Sequence, residues 1–97
     1  MRKRSFIFDG SDGAAQMLTL ILKQYADTAF PLGGSDCAAA SREALQAIAD
    51  NILQTEQAEI NRRQRPMLRS AVTWFYTQSD YAAPEDPMFE RLQDRLA

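Results

Sequence analysis

Apolar residues recur at helical spacing along most of this chain. Ala14, Leu18, Ile21, Leu22, Tyr25 and Ala29 fall on one face of residues 13–29, and Met17 and Leu20 widen the stripe. That spacing predicts a first helix, N-capped by Ser11 or Asp12 and stopped by Pro31-Leu32-Gly33-Gly34. A second helix is predicted to start after Ser35 as N-cap, with Asp36 in its first turn, where negative charge suits the helix dipole. Ala38, Ser41, Leu45, Ile48 and Ile52 repeat at alternating spacings of three and four. They form a short coiled-coil-like seam whose small first members let another helix come close. The seam fails at Thr55 and Glu59. If residues 36–64 were one helix it would span roughly 44 Å. A domain of this size has a radius of gyration of about 13 Å. The second half is therefore expected to project, to meet a partner, or to break early.

Pro66 suits the first turn of a third helix, because the donor it lacks would be free there anyway. Leu68, Ala71, Val72 and Phe75 make one apolar face of that helix, flanked by Met67, Trp74 and Tyr76. Tyr81-Ala82-Ala83-Pro84 reads as a loop, and a last short helix is predicted from Asp86 as N-cap and Pro87, with Phe89, Leu92 and Leu96 inward. At the other end, residues 4–8 are rich in the aromatic and β-branched residues that strands favour and stop at the turn Asp9-Gly10-Ser11-Asp12-Gly13. One strand cannot persist alone, so it either pairs with another chain or lies as an extended arm on the helices. The expected fold is mainly α: a small helical bundle of three to four helices with a short N-terminal extended arm or strand. Residues 1–97 form a single helical domain.

Charge adds location to this picture. The net charge of −2, from 11 basic and 13 acidic residues, creates no global field for nucleic acid or membrane. The basic residues nevertheless cluster. Arg2, Lys3 and Arg4 open the chain, and Arg62, Arg63, Arg65 and Arg69 form a second group, the first three of them at the expected end of the second helix. There, the C-terminal dipole would stabilise them without any ligand. Only Lys3 and Lys23 are lysines; the arginine bias suits planar contacts to carboxylate or phosphate.

Most chemistry is missing. With no histidine, the usual general base, the His-based triads and most metal sites are excluded. Cys37 has adjacent Asp36 and no identifiable base, and reads as a small packed residue. Asp9-Gly10-Ser11-Asp12-Gly13 superficially resembles a calcium loop, but its glycine is one place early and Leu20 occupies the position of the bidentate glutamate. The pairs Glu56/Glu59 and Glu85/Asp86 lie on polar segments, whereas acid–base catalysis would need one carboxyl of a pair buried. No catalytic residue, metal ligand or cofactor is expected. A single cysteine fits a reducing cytoplasm, no apolar run has signal-peptide length, and none reaches the ~20 residues that span a bilayer.

The expected function is a non-enzymatic regulatory, adaptor or inhibitor protein, a class that includes small bacterial and phage proteins. It would act through helix-mediated protein–protein contact. Its partner surface would comprise Arg62, Arg63, Arg65, Arg69, Trp74 and Tyr76, and Ala38, Ser41, Leu45, Ile48 and Ile52 would join copies in a homo-oligomer. The alternative is nucleic-acid binding. A strand-like start, a helix, a Gly-Gly-Ser turn and a helix carrying Ser41-Arg42-Glu43-Ala44-Leu45 resembles the ribbon-helix-helix order over about half the chain. The resemblance implies a dimeric DNA-binding regulator whose paired strands enter the major groove.

Overall fold

The computed structural model describes residues 5–96, and residues 5, 6 and 58 by their backbone alone; the Arg2-Lys3-Arg4 arm lies outside the described residues. The elements run β1 (Ser5–Asp9), α1 (Ala14–Ala29), α2 (Asp36–Thr55), β2 (Gln57–Asn61), α3 (Arg65–Thr77) and α4 (Pro87–Arg95). The fold is mainly α, with a short antiparallel two-stranded sheet.

The second helix ends earlier than its polar continuation suggested. Glu56 adopts a left-handed conformation (φ 57°) and its N–H closes the helix on the Ile52 carbonyl at 2.8 Å. Residues 57–61 then pair with β1, Phe6 opposite Ile60 and Phe8 opposite Ala58. Gln57-Ala58-Glu59-Ile60-Asn61 carries a two-residue alternation that suits a strand with one face covered. As a strand it buries Ile60 beside Phe8 and leaves Gln57, Glu59 and Asn61 in solvent. Thus the N-terminal strand finds its partner inside the same chain. The ribbon's backbone also has local partners: Arg95 donates to the Asp9 carbonyl at 2.9 Å, the Thr55 hydroxyl to that of Gln57, and the Asn61 N–H to the Gln64 side chain at 3.3 Å. These contacts blunt an edge that would otherwise invite another strand. With α2 shortened, the radius of gyration is 12.9 Å, as expected for a domain of this length.

One core joins every element. Leu18, Ile21, Leu22 and Ala26 of α1 meet Leu45, Ala49 and Ile52 of α2, while Leu68, Val72 and Phe75 of α3 and Leu92 of α4 complete it. Between α1 and α2, the Thr19 hydroxyl lies 2.8 Å from the Ala15 carbonyl and 3.2 Å from that of Ala49, so the buried hydroxyl is satisfied. Arg42 closes the C-terminal end of α1 by donating to the carbonyls of Ala26 (3.3 Å) and Phe30 (3.2 Å), with Asp27 at 2.6 Å.

Ser35 caps α2 and Asp86 caps α4 as expected, through the N–H groups of Ala38 and Met88. The cap of α1 differs. Gly13 holds that position in a left-handed conformation with no side-chain bond. Asp9 instead accepts from the Ser11 N–H at 3.0 Å, and Asp12 receives two bonds from Arg95, at 2.6 and 2.7 Å. A bidentate latch to α4 outcompetes a cap that Gly13 makes dispensable.

Candidate functional site

The early end of α2 relocates the arginines. Arg62 and Arg63 lie exposed in the turn between β2 and α3, Arg65 begins α3, and exposed Arg69 lies one turn further along. They surround the N-terminal end of a helix, where the dipole is positive and cations are disfavoured, contrary to the expected C-terminal placement. Asn61 builds the turn: its side chain accepts from the Arg63 N–H at 2.8 Å and its carbonyl from the Gln64 N–H at 2.8 Å. Gln64, the N-cap residue of α3, makes no side-chain cap bond. Among the described residues, Lys23, Arg42, Arg91 and Arg95 are in ion pairs and Arg65 is also engaged, whereas Arg62, Arg63 and Arg69 are in none.

Helical spacing divides α3 into two faces. Leu68, Ala71, Val72, Phe75 and Tyr76 are buried. Pro66, Arg69, Ser70, Thr73 and Trp74, at offsets of three, four, seven and eight, line the other side and with Gln78 border a shallow groove of about 460 Å³. Trp74 and Gln78 also border a second hollow of about 380 Å³, shared with Gln24, Asp27 and Thr28 of α1 and with Ser79 and Asp80. Trp74 is half-buried, its ring 5.7 Å from that of Tyr25. The two hollows adjoin at Trp74 and Gln78 and together make a trough on α3, with Arg69 bordering one end, the indole at its middle and Asp80 at the other.

Tyr76 is not on this surface. It is 1% exposed, stacked on Phe89 at 4.9 Å, and its hydroxyl has no hydrogen-bond partner. Burial, reinforced by nearby Asp86, pushes its pKa up to about 12. The tyrosine that does reach solvent is Tyr81, stacked on Phe75 at 5.2 Å.

The seam expected to join copies lies largely within one chain. Leu45 and Ile52 are fully buried in the core, Ile48 packs against it, and Ala38 and Ser41 are partly buried. The two features that motivated self-association, an overlong helix and an unpaired strand, are both resolved inside the molecule. The same pairing removes the free strand that a ribbon shared between two chains would need. The ribbon's outer side carries Ile7, Asp9, Gln57, Glu59 and Asn61, an acidic and neutral set.

Arg95 draws the Asp12 carboxyl well below the usual carboxylate range, and the Ser11 N–H lowers that of Asp9. Among the described residues no group of three or more His, Cys, Asp or Glu could hold a metal ion, and Cys37 is exposed. No helix among them is long and apolar enough to cross a membrane. The chain matches no known family model, and comparison with curated proteins and with solved structures finds no similar one.

Proposed function

We propose that this protein is a non-enzymatic regulatory, adaptor or inhibitor module of the cytoplasm that binds a protein partner through the exposed face of α3. The observation that carries this reading is a groove bordered by Arg69 and a half-exposed tryptophan, with Arg62 and Arg63 exposed in the turn that leads into the same helix and none of the three arginines in an ion pair among the described residues. Arginine and tryptophan are the residues most enriched at binding hot spots. Cations held at the positive end of a helix cost stability, and an anionic partner would relieve that cost. The reading needs no second copy of the chain. The expected partner-binding residues become Arg62, Arg63, Arg69 and Trp74, with Ser70 and Thr73 between them.

A photo-crosslinking amino acid at Thr73, compared with one at exposed Leu32, tests this in extracts of the source cells. Discrete adducts from position 73 alone, lost on Arg69→Glu, are the expected result. Equal labelling from both positions would overturn the reading. The DNA alternative rests on the same arginines and predicts binding that weakens with salt by a slope of about −0.9 per phosphate contact. Asp27 and Asp80 at the far end of the trough oppose a phosphate backbone.

A further inference from the structure

We infer that the α3 trough takes a short extended peptide segment whose acidic residues lie on one side of an apolar or aromatic anchor and whose basic residue lies on the other. This deepens the partner-binding reading and rests on it. The argument is charge complementarity along one trough. At its arginine end lies Arg69, with Arg62 and Arg63 exposed in the turn that leads into α3; none of the three has an ion pair among the described residues, and the α3 dipole adds to their field. Carboxylates satisfy both, by charge-assisted and bidentate bonds. At the middle, the half-buried Trp74 offers its uncovered surface, flanked by Thr73 and Gln78, to an apolar side chain. At the far end Asp80 is exposed and has no ion pair among the described residues, whereas Asp27 is already paired with Arg42. A cation on the ligand therefore finds one unmatched carboxylate there.

Distances set the spacing. Arg69 and Trp74 are about 7.5 Å apart along the helix axis and lie on the two flanks of its exposed face. That separation corresponds to about two to four residues of extended chain between the acid and the anchor. Ser70 and Thr73 supply hydroxyls to the backbone in between, and Gln78 an amide beyond the anchor. A phosphate polymer fits less well, because it presents the same charge to Asp80 that it presents to Arg69.

Trp74 is the chain's single tryptophan, so its emission reports on the trough directly. The probe is the synthetic peptide Gly-Asp-Glu-Ser-Phe-Gly-Lys-Ser-Gly. It is compared with versions in which both acids become lysine or Phe becomes serine, and with an oligothymidine of about ten nucleotides. The acidic peptide is expected to change Trp74 emission saturably and to move the amide signals of Ser70 and Thr73. Arg69→Glu, or the milder Arg69→Gln, should weaken it by ~10-fold or more with an unchanged circular dichroism spectrum. The lysine peptide should regain affinity on Arg69→Glu. Equal binding of the lysine peptide to the unaltered protein overturns the inference and leaves the groove reading in place. Oligothymidine competing at Trp74 more tightly than any peptide overturns it in favour of nucleic acid. If no peptide perturbs Trp74 while position 73 still crosslinks a protein, the inference falls alone; if position 73 is silent too, both readings fall.

Discussion

Replacing Gly10 with alanine should destabilise the fold severely, although Gly→Ala is elsewhere a common stabilising change. Gly10 joins β1 to the turn before α1 and is buried. A Cβ placed there would lie 2.5 Å from the Ala15 nitrogen, 2.6 Å from its Cβ and 2.7 Å from its Cα, where ordinary contact begins at 3.4 Å. The obstacle is helix backbone, which cannot rotate aside. Relief requires β1 to lift off α1, which stretches the bonds from the Gly10 N–H to Glu56 (2.8 Å) and from the Ala15 N–H to Gly10 (3.0 Å). Overpacking costs about 1–3 kcal/mol and each compromised bond about 0.5–1.5 kcal/mol, while the restricted unfolded chain returns about 0.4–1 kcal/mol. The net loss is about 2–4 kcal/mol, a fall in Tm of roughly 10–20 °C for a domain of this length. Thermal melts and urea titrations followed by circular dichroism measure it. Gly33→Ala is the control: Gly33 has a φ of 86° but open space around it, so only left-handed strain of about 1–2 kcal/mol is added. If Gly10→Ala costs no more than Gly33→Ala, the close approach of β1 to α1 is refuted.

Glu56→Gly should raise stability by about 1 kcal/mol, because Glu56 is the non-glycine residue with positive φ at the break between α2 and β2; a lower Tm would contradict that geometry. Tyr76→Phe should stabilise by about 1 kcal/mol by removing a buried hydroxyl without a partner. The folded-state pKa of Tyr76 is raised from 10.0 to about 12, so its contribution is fully present below pH 10 and is lost as pH rises from there towards 12. An alkaline titration of stability should therefore be flatter for Tyr76→Phe. At the acid end, Asp12 and Asp9 have lowered folded-state pKa values, so their contribution is present above the unfolded value of 3.8 and fades as pH falls below it. Arg95→Met should flatten that acid limb, and an unchanged limb would mean the latch to α4 does not form in solution. Arg62→Gln with Arg63→Gln should leave stability unchanged or raise it by about 0.3–1 kcal/mol, read from urea titrations, and a substantial loss would make these arginines structural.

The helices were legible because each carries enough apolar residues at offsets of three and four for one face to outvote local noise. Their caps were less so. Ser35 and Asp86 have no competing partner and behave as their residue types dictate. Asp12 has one, Arg95, from the far end of the chain, and no local pattern reveals it. The β2 strand was legible in principle, since Gln57-Ala58-Glu59-Ile60-Asn61 alternates and the first strand lacked a partner. It went unread because a five-residue alternation also fits the polar end of a helix, and the pairing that decides between them is non-local. Tyr76 was misplaced for a related reason. Three adjacent rings cover most of a helix's circumference, and only the position of α4 determines that Phe89 covers Tyr76 while Trp74 keeps a surface.

One misread strand changes the meaning of the arginines. At the C-terminal end of a long α2 they would have been stabilised by the dipole, and that stabilisation alone would account for them. With β2 inserted, the same residues begin α3, where the dipole opposes them and no carboxylate among the described residues pairs with Arg62, Arg63 or Arg69. Helix α3 could have begun with acids at these positions and been more stable. Its buried face needs only Leu68, Ala71, Val72, Phe75 and Tyr76, so nothing in the core demands the arginines. Their positive charge is thus a local cost that folding alone does not offset. The proposed acidic partner would offset it, and the adjoining trough with Trp74 would give such a partner a place to anchor.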